Sequence, residues 1–145
     1  MRQALLVFII LGSINPTAAA PSTILSARQA YAYKVTALAD RIEVLWTIRP
    51  GYYLYRSRIL FECASTEVKL GNPALPRGET HEDEFIGAQE VYRSKVLIAI
   101  PYTVAGTRPN SVILKLKWQG CADAGLCYPP TTWETEVRLP AGSPP

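Results

Sequence analysis

The sequence predicts an all-β domain of the sandwich type, on three observations. Apolar and polar residues alternate with period two in several short stretches, which is the pattern of half-buried strands. Glycine and proline separate these stretches, and no segment has helical periodicity of useful length. Seven or so short strands in a chain of 145 residues predict one domain in which two sheets pack together.

The predicted strands follow one another at short intervals. They cover residues 31–37, 42–48, 52–55, 59–64, 94–102, 112–118 and 132–139. The stretch at 94–102 is apolar on both faces, which predicts a central strand. Lysines in the stretch at 112–118 could face glutamates in the stretch at 132–139, which would set the register of a hairpin. The tryptophans fall in these strands, and we assign them to the core.

The beginning of the chain has the features of a secretory signal peptide. Arg2 gives a positive start, an apolar run follows at 4–11, and small residues occupy 17–20. The run is too short to cross a bilayer. Cleavage is expected after Ala19, because Pro21 would be a poor first residue if the cut came one position later. The predicted parts are a signal peptide at 1–19, a folded domain at 20–140 and a Pro/Gly tail or linker start at 141–145.

Charge and hydropathy exclude several classes of partner. The formal charge is +3, or +2 once Arg2 is removed with the signal peptide, and the basic residues are scattered. Neither nucleic acid nor an anionic membrane surface is therefore an expected partner. No stretch of the mature chain could span a membrane. Export would place the domain where disulfides persist.

Two stretches do not fit a plain sandwich. Residues 51–56 hold three tyrosines, and strand alternation sends Tyr53 and Tyr55 to the same face, where aromatic packing at a sheet edge is the simplest interpretation. The connection at 70–92 is long for a compact domain, which indicates a functional or disordered loop. Its apolar pair Phe85-Ile86 sits in an acidic loop and needs something to cover.

The cysteines Cys121 and Cys127 lie between the last two predicted strands. Gly120 and Gly125 supply backbone freedom there, and Pro129-Pro130 ends regular pairing. Such a tight connection could bring two Cα atoms within the roughly 4.4–6.8 Å that a disulfide requires.

The cysteine spacing alone leaves three interpretations open. A structural staple of about 2–3 kcal/mol and a reversible redox pair are nearly equal in weight. A zinc site is weaker, because zinc takes four ligands and the other candidates, Cys63 and His81, lack ligand spacing. Cys63 falls in a strand pattern and is expected to be a buried structural thiol.

Three stretches together resemble the N-terminal periplasmic domain of the thiol:disulfide interchange protein DsbD. They are residues 51–56, residues 81–85 with Gly87 and Tyr92-Arg93, and residues 119–130. The run Cys-Ala-Asp-Ala-Gly-Leu-Cys-Tyr-Pro-Pro is specific in both residues and spacing, and the likeness extends from about residue 27 to residue 139.

The resemblance implies an immunoglobulin-like β-sandwich with an inserted active-site hairpin and cap loop. It implies that Cys121 and Cys127 are the redox pair, that Cys127 joins partners in mixed disulfides, and that Phe85 is the tip of a cap loop shielding the pair. The residues implied to surround the site are Tyr53, Tyr55, Asp83, Glu84, Gly87 and Tyr128.

The function implied by the resemblance is an electron relay. The domain would take electrons from a thioredoxin-like donor and pass them to disulfide isomerases or cytochrome c maturation proteins in the periplasm of a Gram-negative bacterium. It would act as a monomer with neither cofactor nor metal. An apolar lid at Phe85 would limit access to the dithiol, and Asp83 and Glu84 would disfavour a thiolate. Phe85→Ala is expected to speed reaction of the reduced pair with a small oxidant.

Two alternatives and one departure accompany this prediction. The main alternative is a non-catalytic secreted sandwich that binds a partner and has a fixed disulfide. A copper-handling thiol protein is weaker, because the single methionine lies in the signal peptide. The family's membrane and thioredoxin-like domains have no counterpart after Leu139, so either a separate donor polypeptide or a shortened product is expected.

Overall fold

The computed structural model of the chain describes residues 23–84 and 86–141. These residues form eleven strands, a single-turn helix α1 (Ala27–Ala30) and a 3-10 turn at Arg56–Arg58. The strands are β1 (Tyr31–Ala37), β2 (Arg41–Ile48), β3 (Tyr52–Tyr55), β4 (Leu60–Cys63), β5 (Val68–Leu70), β6 (Glu79–Asp83), β7 (Gly87–Tyr92), β8 (Lys95–Val104), β9 (Ser111–Trp118), β10 (Gly120–Ala122) and β11 (Thr131–Arg138). The predicted all-β class is confirmed. The predicted signal peptide and most of the predicted tail lie outside the described residues.

The strands form three antiparallel sheets. One has the order β1-β2-β8-β5 and a second has the order β11-β9-β4. These two pack face to face as the sandwich. The third sheet, β10-β3-β7-β6, is made from segments that lie between the sandwich strands in sequence. It contains Cys121 in β10, and its strands β6 and β7 flank the predicted cap loop. Within the described ranges, no helix is long and apolar enough to span a membrane.

The core between the two sandwich sheets is built around three indole rings. Trp46 of β2, Trp118 of β9 and Trp133 of β11 are all buried, which confirms their assignment to the core. The Trp46 and Trp118 ring centroids are 6.0 Å apart, and those of Trp118 and Trp133 are 4.8 Å apart. Aromatic rings at these distances add to the hydrophobic stabilisation that joins the two sheets.

The hairpin of β9 and β11 has the register that the charges predict, at one of two positions. Lys115 lies opposite Glu134, and their side chains form an ion pair at 3.3 Å. Lys117 instead pairs with Glu62 of β4, at 2.5 Å. The sequence pattern does not show that β4 adds to the other side of β9, so the second partner was not predictable.

The central position predicted for β8 is confirmed, but one of its two apolar faces is largely exposed. The strand is central, because it lies between β2 and β5, but its burial alternates along its length. Leu97 is 49% exposed. Ala99 is half-covered by the irregular segment before β6, where the Ala74 N–H donates to the Ala99 carbonyl at 2.7 Å.

The connection at 70–92 is not an irregular loop, because β6 and β7 form a hairpin within it. This hairpin extends the third sheet next to β3. Its polar composition suits an exposed ribbon, and β6 carries charged residues on an edge strand, which discourages pairing with another chain. The position of the acidic loop beside the cysteines follows from this pairing.

Candidate redox site

The first cysteine belongs to the third sheet rather than to the sandwich hairpin. After Trp118 the chain leaves β9, and β10 pairs with β3 so that Cys121 lies opposite Tyr53. Cys121 and Cys127 form a disulfide with Cα atoms 4.0 Å apart, slightly closer than the expected range. The inserted hairpin predicted from the resemblance is therefore present, and its first strand is anchored in a separate sheet.

Backbone hydrogen bonds close the cysteine hairpin. The Ala122 N–H donates to the Leu126 carbonyl at 2.8 Å, and the Gly125 N–H donates to the Ala122 carbonyl at 2.9 Å. Gly125 has a φ of +89°, in the left-handed region that favours glycine. The Tyr128 N–H completes the ladder by donating to the Gly120 carbonyl at 3.0 Å. The turn between the cysteines is thus defined by the backbone as well as by the disulfide.

The two sulfur-bearing residues differ strongly in exposure. Cys121 is 1% exposed, whereas Cys127 is among the exposed residues. Leu126, directly before Cys127, is 40% exposed and adds an apolar surface beside it. Cys127 is therefore the more accessible of the two cysteines, and Cys121 is the more protected.

Two tyrosines pack around the buried sulfur. Tyr53, Tyr55, Val91 and Cys121 form a small apolar cluster separate from the main core. The Tyr53 and Tyr55 ring centroids are 5.4 Å apart with an edge-to-face arrangement. Both rings lie on one side of β3, as strand alternation predicts, and both pack in the same cluster as Cys121.

A buried carboxylate reaches the same cluster through a tyrosine. The Tyr55 hydroxyl donates a hydrogen bond to Asp83 Oδ2, and Cys121 Sγ lies 3.4 Å from Tyr55 Oη. Asp83 is 8% exposed, and its Oδ1 accepts from the Ile86 N–H at 3.0 Å. Burial, reinforced by the bond to Asp83, raises the pKa of Tyr55. The phenol therefore stays protonated beside Cys121 at neutral pH.

The β6–β7 hairpin places Asp83 and Glu84 in the same cleft as Cys127. Asp83 and Gly87 pair at the end of the hairpin, and Gly87 has a φ of +73°. Glu84 is exposed at the tip, and together with Tyr53, Asp83 and Cys127 it lines a cleft of about 230 Å³. Phe85, the implied tip of the cap, lies outside the described residues.

Tyr128 occupies a different position from the other predicted site residues. It is buried on the core side of the hairpin, where its ring lies edge-to-face with Tyr31 at 5.6 Å. Its hydroxyl donates to the Leu25 carbonyl at 2.5 Å. Tyr128 therefore fastens the hairpin to the segment before β1 and does not line the cleft.

Three polar residues at the site were not among the sequence-predicted set. Arg93 donates two hydrogen bonds to the Asp123 carboxylate, at 2.8 and 2.9 Å. The His81 ring lies 4.4 Å from the Tyr53 ring, centroid to centroid. The Arg93 guanidinium lies 4.9 Å from the same Tyr53 ring. Arg93 and His81 fall in the matching motifs, but nothing in the sequence pattern pairs Arg93 with a residue of the cysteine hairpin.

A tyrosine of β1 supports the hairpin from below. The Tyr31 hydroxyl lies within hydrogen-bonding distance of the Tyr53 carbonyl, at 3.0 Å, and of the Cys121 carbonyl, at 3.2 Å. Tyr31 is 1% exposed, and burial raises its pKa. Its phenol bridges the two paired strands β3 and β10 and joins the third sheet to the sandwich.

The domain is expected to lose stability at alkaline pH through the phenols of Tyr31 and Tyr55. The pKa values of Tyr31 and Tyr55 are raised above 10.0 in the folded state. A phenol whose pKa is higher in the folded state than in the unfolded state contributes to the free energy of unfolding. That contribution is complete below the unfolded pKa and is lost as pH rises toward the folded pKa. The thermal midpoint should therefore fall between pH 9 and pH 11, with a smaller fall in Tyr31→Phe. An equal fall in both proteins would contradict this assignment.

Comparison with known proteins identifies the family to which the chain belongs. The family described as "Thiol:disulfide interchange protein DsbD, N-terminal" matches residues 22–139. A DsbD of Pseudomonas fluorescens is 45% identical over 95 residues, covering 66% of this chain and 15% of its own length. A DsbD of Cronobacter sakazakii is 43% identical over 111 residues, covering 77% of this chain and 18% of its own length. The chain thus spans less than a fifth of the length of these relatives.

Solved structures give the same result. The reduced DsbD N-terminal domain of Neisseria meningitidis superposes with a TM-score of 0.71 and 34% identity, over 79% of this chain and 90% of that chain. The complex between the DsbD N-terminal and PilB N-terminal domains of the same organism gives a TM-score of 0.66 and 33% identity, over 79% of this chain and 87% of that one. The predicted immunoglobulin-like fold is confirmed, and the chain belongs to the family of DsbD N-terminal domains.

Proposed function

We propose that the domain is a periplasmic thiol–disulfide relay that exchanges electrons with partner proteins through Cys127. The observation that carries this proposal is the asymmetry of the disulfide, in which Cys127 is exposed and Cys121 is 1% exposed. A staple has no need of an accessible sulfur at the mouth of a cleft. The exchange reaction does, because the incoming thiolate must approach one sulfur in line with the bond that breaks.

The exchange proceeds in two steps when the domain accepts electrons. A thiolate of the donor attacks Cys127 Sγ, the disulfide breaks, and Cys121 leaves as a thiolate that takes up a proton. The donor's second thiolate then attacks its own sulfur in the mixed disulfide, and Cys127 leaves and is protonated in turn. Two electrons and two protons have then passed to the domain, and the donor has become a disulfide. Delivery to an acceptor is the reverse sequence.

Tyr55 is placed to assist the leaving sulfur, and Asp83 is placed to control the charge on it. Cys121 is surrounded by aromatic rings, where an unassisted thiolate would be costly. The Tyr55 hydroxyl, 3.4 Å from Cys121 Sγ, can turn toward the leaving thiolate and stabilise it by a hydrogen bond. In the oxidised domain the same hydroxyl donates to Asp83, so its single proton exchanges that bond for one to the thiolate, while the negative charge of Asp83 disfavours a thiolate in the resting dithiol.

The acidic rim and the implied cap would restrict the reaction to docked partners. Glu84 is exposed and lines the cleft with Cys127, so a stray anionic thiolate meets a negative charge. Phe85 is proposed, from the resemblance, to shield the sulfurs until a partner displaces it. The complex of the Neisseria meningitidis DsbD and PilB N-terminal domains supports a protein partner of this kind. We infer that the donor is a thioredoxin-like domain and that the acceptors are periplasmic thiol proteins.

Trapping with Cys121→Ser tests the relay directly. The variant keeps Cys127 but has no second thiol to resolve the mixed disulfide, so partners remain attached. In a Cys63→Ala background, we expect covalent complexes that disappear on reduction and contain thioredoxin-like proteins. The measurement is non-reducing electrophoresis of periplasmic extract, followed by identification of the attached proteins.

The matched control is Cys127→Ser in the same background, which leaves only the buried sulfur. It should trap at least tenfold less, because Cys121 is 1% exposed. Equal trapping by both variants would remove the asymmetry on which the proposal rests. Trapping by neither variant would show that the disulfide is structural. The domain would then be the secreted binding module that the sequence left as the alternative.

A further inference from the structure

We propose that Arg93 is a positioning residue for exchange at Cys127, which acts by holding Asp123 in the turn between the two cysteines. This inference rests on the proposed function. Arg93 lies after β7, and Asp123 lies two residues after Cys121. Their bidentate contact at 2.8 and 2.9 Å therefore joins the end of β7 to the turn between the two cysteines.

Arg93 is itself held by two contacts besides Asp123, so it is a fixed anchor. Its Nε contacts Glu79 Oε1 at 2.5 Å, and its guanidinium lies over the Tyr53 ring at 4.9 Å. The Arg93 side chain is 27% exposed. The Tyr53 ring also packs on His81, which belongs to the same edge strand as Glu79. A guanidinium fixed by a carboxylate and an aromatic face loses little further freedom when it binds a second carboxylate.

Asp123 is the residue through which this anchor reaches the turn. Its N–H donates to the Gly51 carbonyl at 2.8 Å, while its carboxylate accepts from Arg93. The pair lowers the pKa of Asp123, with the Arg93 hydrogen bond as the main cause. The Asp123 backbone is thus held by Gly51, just before β3, and its side chain is held by Arg93, just after β7.

The anchor matters most after the disulfide opens. The covalent closure of the hairpin is then lost, and the two thiols can separate unless other contacts hold the turn. Closure of the disulfide requires the Cys121 sulfur to meet the Cys127 sulfur in line, and its rate depends on their effective concentration. Arg93 and Asp123 keep the turn in the oxidised geometry, so the thiols stay within reach of each other.

The test is a double-mutant cycle read by glutathione. Glutathione disulfide attaches to the Cys127 thiolate and releases one glutathione, and the Cys121 thiolate then displaces the second to reform the internal disulfide. The ratio of internal disulfide to the Cys127–glutathione adduct gives the effective concentration of the thiols. In Arg93→Gln and in Asp123→Asn we expect it to fall about fivefold, the size appropriate to a partly exposed bidentate pair. The double variant should fall no further, because both changes remove the same contact.

Arg41→Gln is the matched control. Arg41 contacts Asp40 and Glu43 in a similar partly exposed pair, but at the start of β2. It should leave the glutathione ratio within twofold of the parent protein. Values within twofold for Arg93→Gln and Asp123→Asn, or independent losses that add in the double variant, would overturn the proposal. Trapping by Cys121→Ser tests the relay separately, so a preserved trap with an unchanged glutathione ratio would refute the role of Arg93 alone.

Discussion

Gly120→Ala is expected to destabilise the domain by about 3 kcal/mol, at the upper end of the usual range for overpacking. A Cβ at this position would lie 2.4 Å from the Tyr53 carbonyl oxygen and 2.5 Å from the Tyr31 hydroxyl. The carbonyl belongs to the β3 backbone that pairs with β10, so it has little room to withdraw. The Tyr31 side chain is buried and bridges the two strands. We therefore expect β10 to shift and the cysteine hairpin to shift with it.

Gly106→Ala is the matched control for this substitution. Gly106 has a φ of +78° but nothing within 4 Å of its added Cβ, so its cost is about 1–2 kcal/mol of backbone strain. The free energies of unfolding in urea, measured for both variants, distinguish the cost of a steric clash from the cost of replacing a glycine. Gly120→Ala should also slow opening of the disulfide by dithiothreitol, whereas Gly106→Ala should not. A similar loss of stability in both variants would exclude the clash at Gly120.

The strands of the sandwich were predictable because burial on one face imposes a period of two. The alternation can be read from neighbouring residues alone. The predicted strands at 31–37, 42–48, 112–118 and 132–139 match β1, β2, β9 and β11 to within a residue or two. The exposed face of β8 was missed because Leu97 is apolar. An apolar side chain in the sequence does not show whether another element covers it.

The third sheet was not predictable as a sheet. Its strand β10 has three residues, too few for a period to be visible, and it pairs with β3, which lies far away in sequence. The likeness to the family's motifs nonetheless indicated which residues meet there. Tyr53, Tyr55, Asp83 and Cys121 do lie together in the structure, and their roles stay a prediction.

The polar contacts of the site depend on this strand pairing and could not be predicted from the sequence. Arg93 and Asp123 are thirty positions apart, and each would pass for an ordinary exposed charge. Only the arrangement of β10 and β7 on either side of β3 brings them within 3 Å. Tyr128 shows the converse, because it adjoins a cysteine in sequence but faces the core.

Tyr55→Phe is expected to slow the opening of the disulfide by dithiothreitol about tenfold or more, near the lower end of what a hydrogen bond to a charged group contributes. The substitution removes the hydroxyl that lies 3.4 Å from Cys121 Sγ and leaves the ring in its cluster. The Cys121 thiolate would then leave into an apolar pocket without a hydrogen bond. Because the pKa of Tyr55 is raised, its hydroxyl remains protonated over pH 6–9, and we expect the ratio of the two rates to stay constant over that range.

Asp83→Asn and Tyr102→Phe complete this experiment. An asparagine can still accept from the Tyr55 hydroxyl but removes the negative charge, so the reduced pair should react faster with iodoacetamide. Tyr102 donates to the Leu38 carbonyl at 2.7 Å, away from the site, so Tyr102→Phe removes a comparable hydroxyl and should leave the disulfide kinetics unchanged. The thermal midpoints of the two phenylalanine variants control for stability. If Tyr55→Phe opened as fast as Tyr102→Phe, the leaving sulfur would need no help from the phenol, and Asp83 would act on the thiols through its charge alone.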